Sequence, residues 1–409
     1  MTTDDIRPSS ATVRWLLITS LILTLSKALT LPVIAVYLSN TLELGTTKVG
    51  FILSTSLAFG TLSSLVSGYI IDHADRRALL LAGTALYGAT WFAFSYIHDG
   101  WTVFALLSLS YSASSLLDIA LKAYIAQIVA PADRGKVFSV RYTLNNVGFA
   151  IGPMLGAFLA LYGEATIFRL AGFGTLICTI PVVVLWRSLK QQRIQSGPPD
   201  SSRSFYSTLC TLTGDVRLMM FTLAGIFSAV VYARFSSYLS QYLSLTTNVH
   251  VAYQTVAYSI TVNAVIVTLV QYLIGSRITV SRLRSGMTIG MALFGVGLLG
   301  FSRSTDTTGW MISMAIFSLG EVVVIPASYL FVDSIAPEDM KGSYYGMQSL
   351  TNLGGAASPA LCGLLLSTGQ PVVMFWALIA VCFFALMLYL IGDCLSSMRS
   401  SISMPPPNR

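Results

Sequence analysis

Pro371-Val372-Val373-Met374-Phe375-Trp376-Ala377-Leu378-Ile379-Ala380-Val381-Cys382-Phe383-Phe384-Ala385-Leu386-Met387-Leu388-Tyr389-Leu390-Ile391-Gly392 runs for 22 residues without one charged side chain. As an α-helix such a run rises roughly 33 Å, enough to cross a hydrocarbon core about 30 Å thick. Working back from this stretch, similar runs recur along the whole chain. They are continuous rather than alternating, which favours helices over the short dyad-patterned strands of a membrane barrel. The composition agrees. Of 409 residues, 54% are hydrophobic and 10% charged, where soluble domains carry about 25% charged residues. With a mean hydropathy of +0.72, too little polar surface remains to clothe a water-soluble globule.

Twelve spans are expected, at 13–38, 47–71, 78–97, 101–129, 137–162, 166–187, 217–243, 251–275, 286–303, 309–332, 343–367 and 371–394. The first is too long for a signal-peptide core and is read as a membrane helix. The stretch 189–216, with Gln191, Gln192, Pro198, Pro199 and several serines, reads as a polar cytoplasmic linker. It divides the chain into an N-terminal bundle (1–188) and a C-terminal bundle with its tail (217–409). With the N-terminus in the cytoplasm, 17 Lys and Arg residues fall on the cytoplasmic side and only Lys48, Arg169 and Arg303 on the other. That positive-inside bias places both termini in the cytoplasm. The net charge of +7 is therefore an orientation signal, and nucleic acid is not expected as a partner.

The halves repeat at an offset of 206 residues. Ala130, Pro131, Asp133, Leu144, Asn146, Gly148 and Pro153 recur as Ala336, Pro337, Asp339, Leu350, Asn352, Gly354 and Pro359. Duplicated halves are a transporter architecture, with substrate bound near the midplane.

Three motifs carry a family resemblance. Gly68-Tyr69-Ile70-Ile71-Asp72-His73-Ala74-Asp75-Arg76-Arg77 resembles the signature loop of the major facilitator superfamily, with Gly68, Asp72, Arg76 and Arg77 in register. His73 stands for a usual Arg and Asp75 for a usual Gly. Gly148, Gly152, Pro153 and Gly156 resemble the antiporter motif of its drug/proton branch; the spacing of four puts the glycines on one helix face, open to close approach. Gly320-Glu321 followed by Pro326 resembles an acid-and-proline helix of proton-coupled members. The whole chain is similar to the YdeE-like bacterial inner-membrane exporters. The resemblance implies an all-α fold of two pseudo-symmetric six-helix bundles, a gate at the signature loop, a cavity lined by spans 1, 4, 7 and 10, and rocking of the halves that alternates access.

Charges at membrane depth are expensive and mark function. Lys27, Asp118, Lys122, Arg234 and Glu321 all fall on the four spans that the resemblance assigns to the cavity, and Arg141 lies just inside span 5. Glu321 is the first candidate for proton coupling and Asp118 the second. Lys27, Lys122, Arg234, Arg141, Tyr124 and Asn145 are candidates for substrate contact, with Tyr37, Tyr238, Gln241, Asn263, Gln271 and Gln348 as further polar or aromatic positions. Asp118 and Lys122, four apart with the acid first, equally satisfy each other on one helix face. Three cations against two acids favour an anionic substrate group.

The expectation is thus proton-coupled efflux of a drug, small peptide or siderophore across a bacterial inner membrane by a monomer. An importer of peptides, sugars or siderophores on the same fold, or a membrane sensor, are the alternatives. Enzymatic function is not expected: His73, His98 and His250 are scattered, and no HExxH, nucleophile elbow or phosphate loop occurs. The five cysteines show no CxxC spacing, so neither a metal site nor a cofactor is expected.

Overall fold

The computed structural model describes residues 10–402 except 41, 45, 98, 161, 181–182, 184–203, 276 and 368. The described chain is all-α. Its helices are α1 (Ser10–Asn40), α2 (Thr46–His73), α3 (Arg76–Phe94), α4 (Gly100–Ile128), α5 (Pro131–Ala160), α6 (Glu164–Ile177), α7 (Phe205–Gly214) and α8 (Val216–Tyr232). They continue as α9 (Phe235–Thr246), α10 (Val249–Gly275), α11 (Leu283–Arg303), α12 (Thr307–Ile335), α13 (Lys341–Ser349), α14 (Asn352–Leu366) and α15 (Val373–Ile402).

Among the described residues, eight segments are long and apolar enough to cross a membrane, and the bent pair α7–α8 makes a ninth. The expected spans at α3, α5 and α6 fall outside this set for visible reasons. Helix α5 carries Asp133, Arg134, Lys136 and Arg141 in its first eleven residues, α3 opens on Arg76 and Arg77, and α6 has 14 residues.

Helix ends differ from the expected spans in three places. The span 217–243 is two helices, broken at Ala233 and Arg234. The expected span 343–367 is one membrane-crossing segment over 341–366, with its helix interrupted at Leu350 and Thr351. The last part of the expected linker is helical, as α7, which meets α8 at 80°; residues 189–203 of that linker lie outside the described residues.

Packing divides the chain into two compact units, residues 1–205 with 336–349, and residues 206–335 with 350–409. In the first, α5 lies on α1 through its small residues. A side chain at Gly148 would meet Thr24, one at Gly152 the Ala28 side chain, and one at Gly156 the Leu29 carbonyl. In the second, α14 lies on α8 in a similar way: a side chain at Gly354 would meet the Ile226 carbonyl, and one at Gly355 the Ala233 side chain at 2.8 Å.

The break between α8 and α9 is held by side chains. A helix end leaves carbonyls without amide partners. Here the Val230 carbonyl accepts from Ser358 Oγ at 2.6 Å, and the Val231 carbonyl accepts from Tyr238 Oη at 3.0 Å. Helix α4 starts on an Asp99 cap that accepts from the Trp101 and Thr102 amides; hydrogen bonds from Thr102 come first among the causes that hold its carboxyl below the ordinary carboxylate range.

Candidate functional site

In the first unit, six polar side chains from three helices form one network. Lys122 Nζ lies 2.8 Å from Asp118 Oδ2, one helical turn apart on α4. Arg141 of α5 reaches the other oxygen, Nη2 to Oδ1 at 2.5 Å, and its Nε donates to Ser20 Oγ of α1 at 3.0 Å. Ser20 and Thr24 both donate to Asn145 Oδ1 at 3.0 Å. Two cations surround one carboxylate, leaving an excess of one positive charge. The cations are the hidden members: the Lys122 and Arg141 side chains are 5% and 4% exposed, the Asp118 side chain 40%. Sequence reading picked Asp118, Lys122, Arg141 and Asn145 but missed Ser20 and Thr24. Their signal was the spacing Ser20, Thr24, Lys27, which puts all three on one face of α1. Lys27 is half-buried there, one turn beyond Thr24.

Tyr124 is not part of this network. It lies near Arg77, Asp75 and Arg76, beside the loop that joins α2 to α3. Tyr37 is a core residue, 3% exposed, with its hydroxyl on the Ile97 carbonyl at 2.7 Å and its ring against Phe94 and Phe168.

The signature loop is organised by Asp72. Its two oxygens accept from the backbone amides of Gly342 at 2.6 Å and Ser343 at 2.7 Å. These are first-turn amides of α13, where orphaned N–H groups and the helix dipole favour an anion. Close approach is needed for this. A side chain at Gly68 would meet the Gly342 carbonyl at 2.5 Å, and one at Gly342 would meet the Gly68 carbonyl at 2.6 Å. Arg76 donates to Gln127 Oε1 at 2.9 Å and stands 4.0 Å from Asp72. Arg77 pairs with Asp75 at 3.4 Å. Asp75 caps α3 with φ −67° and ψ 111°, a conformation any residue adopts, so this turn does not require the glycine usual at that position. The His73 ring packs against Tyr69 with centroids 4.1 Å apart and the ring planes tilted by 35°.

In the second unit, Glu321 sits midway along the 29-residue α12 and is 7% exposed. Asn263 Nδ2, from α10, donates to Glu321 Oε2 at 2.7 Å and to Ser318 Oγ at 3.0 Å. Five residues on, Pro326 has no amide hydrogen to offer the Val322 carbonyl. Gln271 Nε2 of α10 fills that place at 3.2 Å. Asn263 and Gln271, expected as cavity positions, both bond from α10 to α12, one at the acid and one at the proline's gap. Gln241 donates weakly to the Pro359 carbonyl at 3.4 Å, and Tyr238 serves the helix break. Arg234 is exposed at that break, with φ −135° and ψ 35°, at the start of α9 rather than inside a continuous span. Among the described residues, no group of three or more His, Cys, Asp or Glu is placed to hold a metal ion.

The profile of the Major Facilitator Superfamily matches residues 16–352. An uncharacterized MFS-type transporter of Escherichia coli (strain K12), YdeE, is 32% identical over 383 residues, covering 92% of this chain and 94% of the relative. A Na(+), Li(+), K(+)/H(+) antiporter of Planococcus maritimus is 23% identical over 344 residues, covering 78% of this chain and 81% of the relative. The fold matches the crystal structure of a bacterial homologue of the iron transporter ferroportin in its outward-facing state, with a TM-score of 0.74 and 16% identity, over 93% of this chain and 99% of that one. The chain belongs to the Major Facilitator Superfamily and is a multi-pass membrane transporter of a small molecule, not an enzyme.

Proposed function

We propose that this transporter exports a small organic molecule bearing an acidic group, in exchange for protons, by alternating access. The observation that carries this reading is the pairing of two unlike polar sites. One is the Lys122–Asp118–Arg141 cluster with its surplus cation. The other is the buried Glu321 carboxyl on α12. An acidic side chain placed midway along a membrane-crossing helix, with an amide donor on it, is a functional group by position and can load and release a proton. A carboxylate or similar group on the substrate is drawn to the surplus charge and competes with Asp118 for its two cations. Drugs, small peptides and siderophores with acidic groups fit this description. Lys27, on the α1 face that carries Ser20 and Thr24, and Arg234, exposed at the α8–α9 break, are the other substrate-contact candidates. Asp118 is the second proton candidate, since a carboxyl released from its cations can take up a proton.

The remaining assignments follow the same reading. Gly68, Asp72, Arg76 and Arg77 form the cytoplasmic gate, and Gly148, Gly152, Pro153 and Gly156 the packing seam of an exporter. Twelve spans in two bundles cross a bacterial inner membrane, with both termini in the cytoplasm. Exchange for protons is supported by the likeness to the Na(+), Li(+), K(+)/H(+) antiporter of Planococcus maritimus.

The test is dequenching of an acid-loaded fluorescent amine in energised inside-out vesicles, on adding fluorescein-type organic anions, ethidium, or Na⁺ and K⁺ separately. Release of protons by the anions, lost in Glu321→Gln, is expected. Dequenching by ethidium or the metal cations alone overturns the anionic substrate. Dequenching that survives in Glu321→Gln overturns the coupling role of Glu321.

A further inference from the structure

The buried face of α10 is a polar ladder. Its buried described positions after Ala252 are Thr255, Ser259, Asn263, Val267 and Gln271, each four residues from the next. A spacing of four keeps them on one side of the helix, and the hydrogen bonds of Thr255, Asn263 and Gln271 turn this side toward α12. Thr255 Oγ1 lies 3.5 Å from Thr307 Oγ1 at the first turn of α12. Asn263 holds Ser318 and Glu321. Gln271 holds the Val322 carbonyl.

Two atoms in this ladder lack protein partners. Ser259 Oγ and Gln271 Oε1 are buried with no hydrogen-bond partner, and both residues are 0% exposed. A buried hydroxyl without a partner is costly. In membrane helices such a serine can bond back to the carbonyl one turn earlier, as Ser318 does to Met314; Ser259 does not. Successive ladder positions lie about 6 Å apart along the axis, the span of one water making two hydrogen bonds of roughly 2.8 Å.

The ladder is also one-sided. From the Val249 end to Glu321 it reads Thr255, Ser259, Asn263, all polar. Toward the Gly275 end the next position is Val267, 0% exposed, and only then Gln271. At the Val249 end Thr307 is half-buried and Asp306 exposed, so the seam opens on a carboxylate. The Val249 end is the outer face in the orientation expected from the Lys and Arg distribution.

We infer that the α10–α12 seam is a hydrated proton-entry path, running from Asp306 and Thr307 past Thr255 and Ser259 to Glu321, and closed on its other side by Val267. It rests on the reading that Glu321 is the proton carrier. Thr255, Thr307, Ser259 and Ser318 supply hydroxyls, and the Asn263 amide fixes the last water and the carboxyl. Tyr232 of α8 and Tyr238 of α9 are titratable groups within electrostatic reach of Glu321. The proton thus reaches Glu321 inside the second unit.

The probe is dicyclohexylcarbodiimide, which modifies protonated carboxyls in apolar surroundings, with Glu321 modification read by mass spectrometry. The full chain is used in vesicles of both orientations, with the pH set independently on each side. Modification is expected to follow the pH at the Val249 end and ignore the other. Ser259→Val should slow it about tenfold, equivalent to roughly 1.4 kcal/mol, and Ser259→Thr should restore it. Val267→Thr should make it respond to both sides. Modification that follows the Gly275 side, is absent, or is indifferent to Ser259→Val and Val267→Thr overturns the path. The two readings fail separately. Antiport surviving in Glu321→Gln while modification obeys the seam refutes the coupling role alone. Antiport lost in Glu321→Gln while modification ignores the seam refutes the path alone.

Discussion

Arg141 and Asp118 lie on different helices, 23 residues apart, and meet at 2.5 Å through Nη2 and Oδ1. The same carboxylate holds Lys122 through its other oxygen. Removing the acid leaves two buried cations close together without the carboxylate they share. Breaking a fully buried pair from one side costs about 3–5 kcal/mol, and less where the acid is 40% exposed, as Asp118 is. Asp118→Asn is therefore expected to lower thermal stability in detergent sharply. Replacing acid and lysine together, as Asp118→Asn with Lys122→Met, should recover a good part of the loss, since one cation then remains where two stood. A double variant no more stable than Asp118→Asn alone contradicts this account.

Glycines divide into those that admit a neighbour and those that do not. Helix α5 meets α1 at Gly152 and Gly156, where an added side chain runs into Ala28 and the Leu29 carbonyl. Gly152→Val and Gly156→Leu should abolish folding or expression of a monodisperse protein, because backbone and short side chains have nowhere to move. Gly295, inside α11, has nothing within 4 Å of an added side chain. Gly295→Ala should stabilise by about 0.5–1 kcal/mol through helix propensity. Melting curves of the three variants make the comparison.

The α8–α9 break depends on two hydroxyls. Tyr238→Phe frees the Val231 carbonyl and Ser358→Ala frees the Val230 carbonyl, each at a cost of about 1–2 kcal/mol if the carbonyl stays buried. Faster amide hydrogen exchange around residues 233–236 is expected in both, with the wild-type rate elsewhere in the second unit. Uniform acceleration across the unit indicates general destabilisation and counts against a local role.

These hydroxyls also show where sequence reading stopped. Long apolar runs, the charge asymmetry of the loops and the 206-residue repeat reveal a multi-span helical transporter, because each is a local or periodic property. Asp118 with Lys122 was legible for the same reason, as an i, i+4 pair. The third partner, Arg141, was legible only as a charge just inside span 5, and its meeting with Asp118 and Ser20 depends on how α1, α4 and α5 cross. The break at Arg234 has no proline or glycine to announce it. It is stabilised by Tyr238 and Ser358, and the latter lies 128 residues from its acceptor. Gln271 read as a cavity residue because nothing in sequence connects it to the amide that Pro326 lacks.

Asp72 presents the last case, in which the chemistry rests on charge rather than shape. Both its oxygens accept from amides at the start of α13, and an asparagine in the same place directs an N–H donor at one of those donors. Asp72→Asn thus loses one hydrogen bond and the favourable charge at a helix N-terminus, together about 1–3 kcal/mol. Glycine contacts at Gly68 and Gly342 persist, so the fold should survive and the first turn of α13 should loosen. Ser343 is 1% exposed, and Ser343→Cys is a reporter for that turn, since its side chain adds little volume. Maleimide labelling of the cysteine should be slow with Asp72 intact and faster by about tenfold when Asp72→Asn is added. Asp72→Glu, longer by one methylene, should fall between, because its charge is kept but both short contacts cannot form in the same space. Equal labelling in all three shows that α13 is held by helix packing at its glycines and not by the carboxylate.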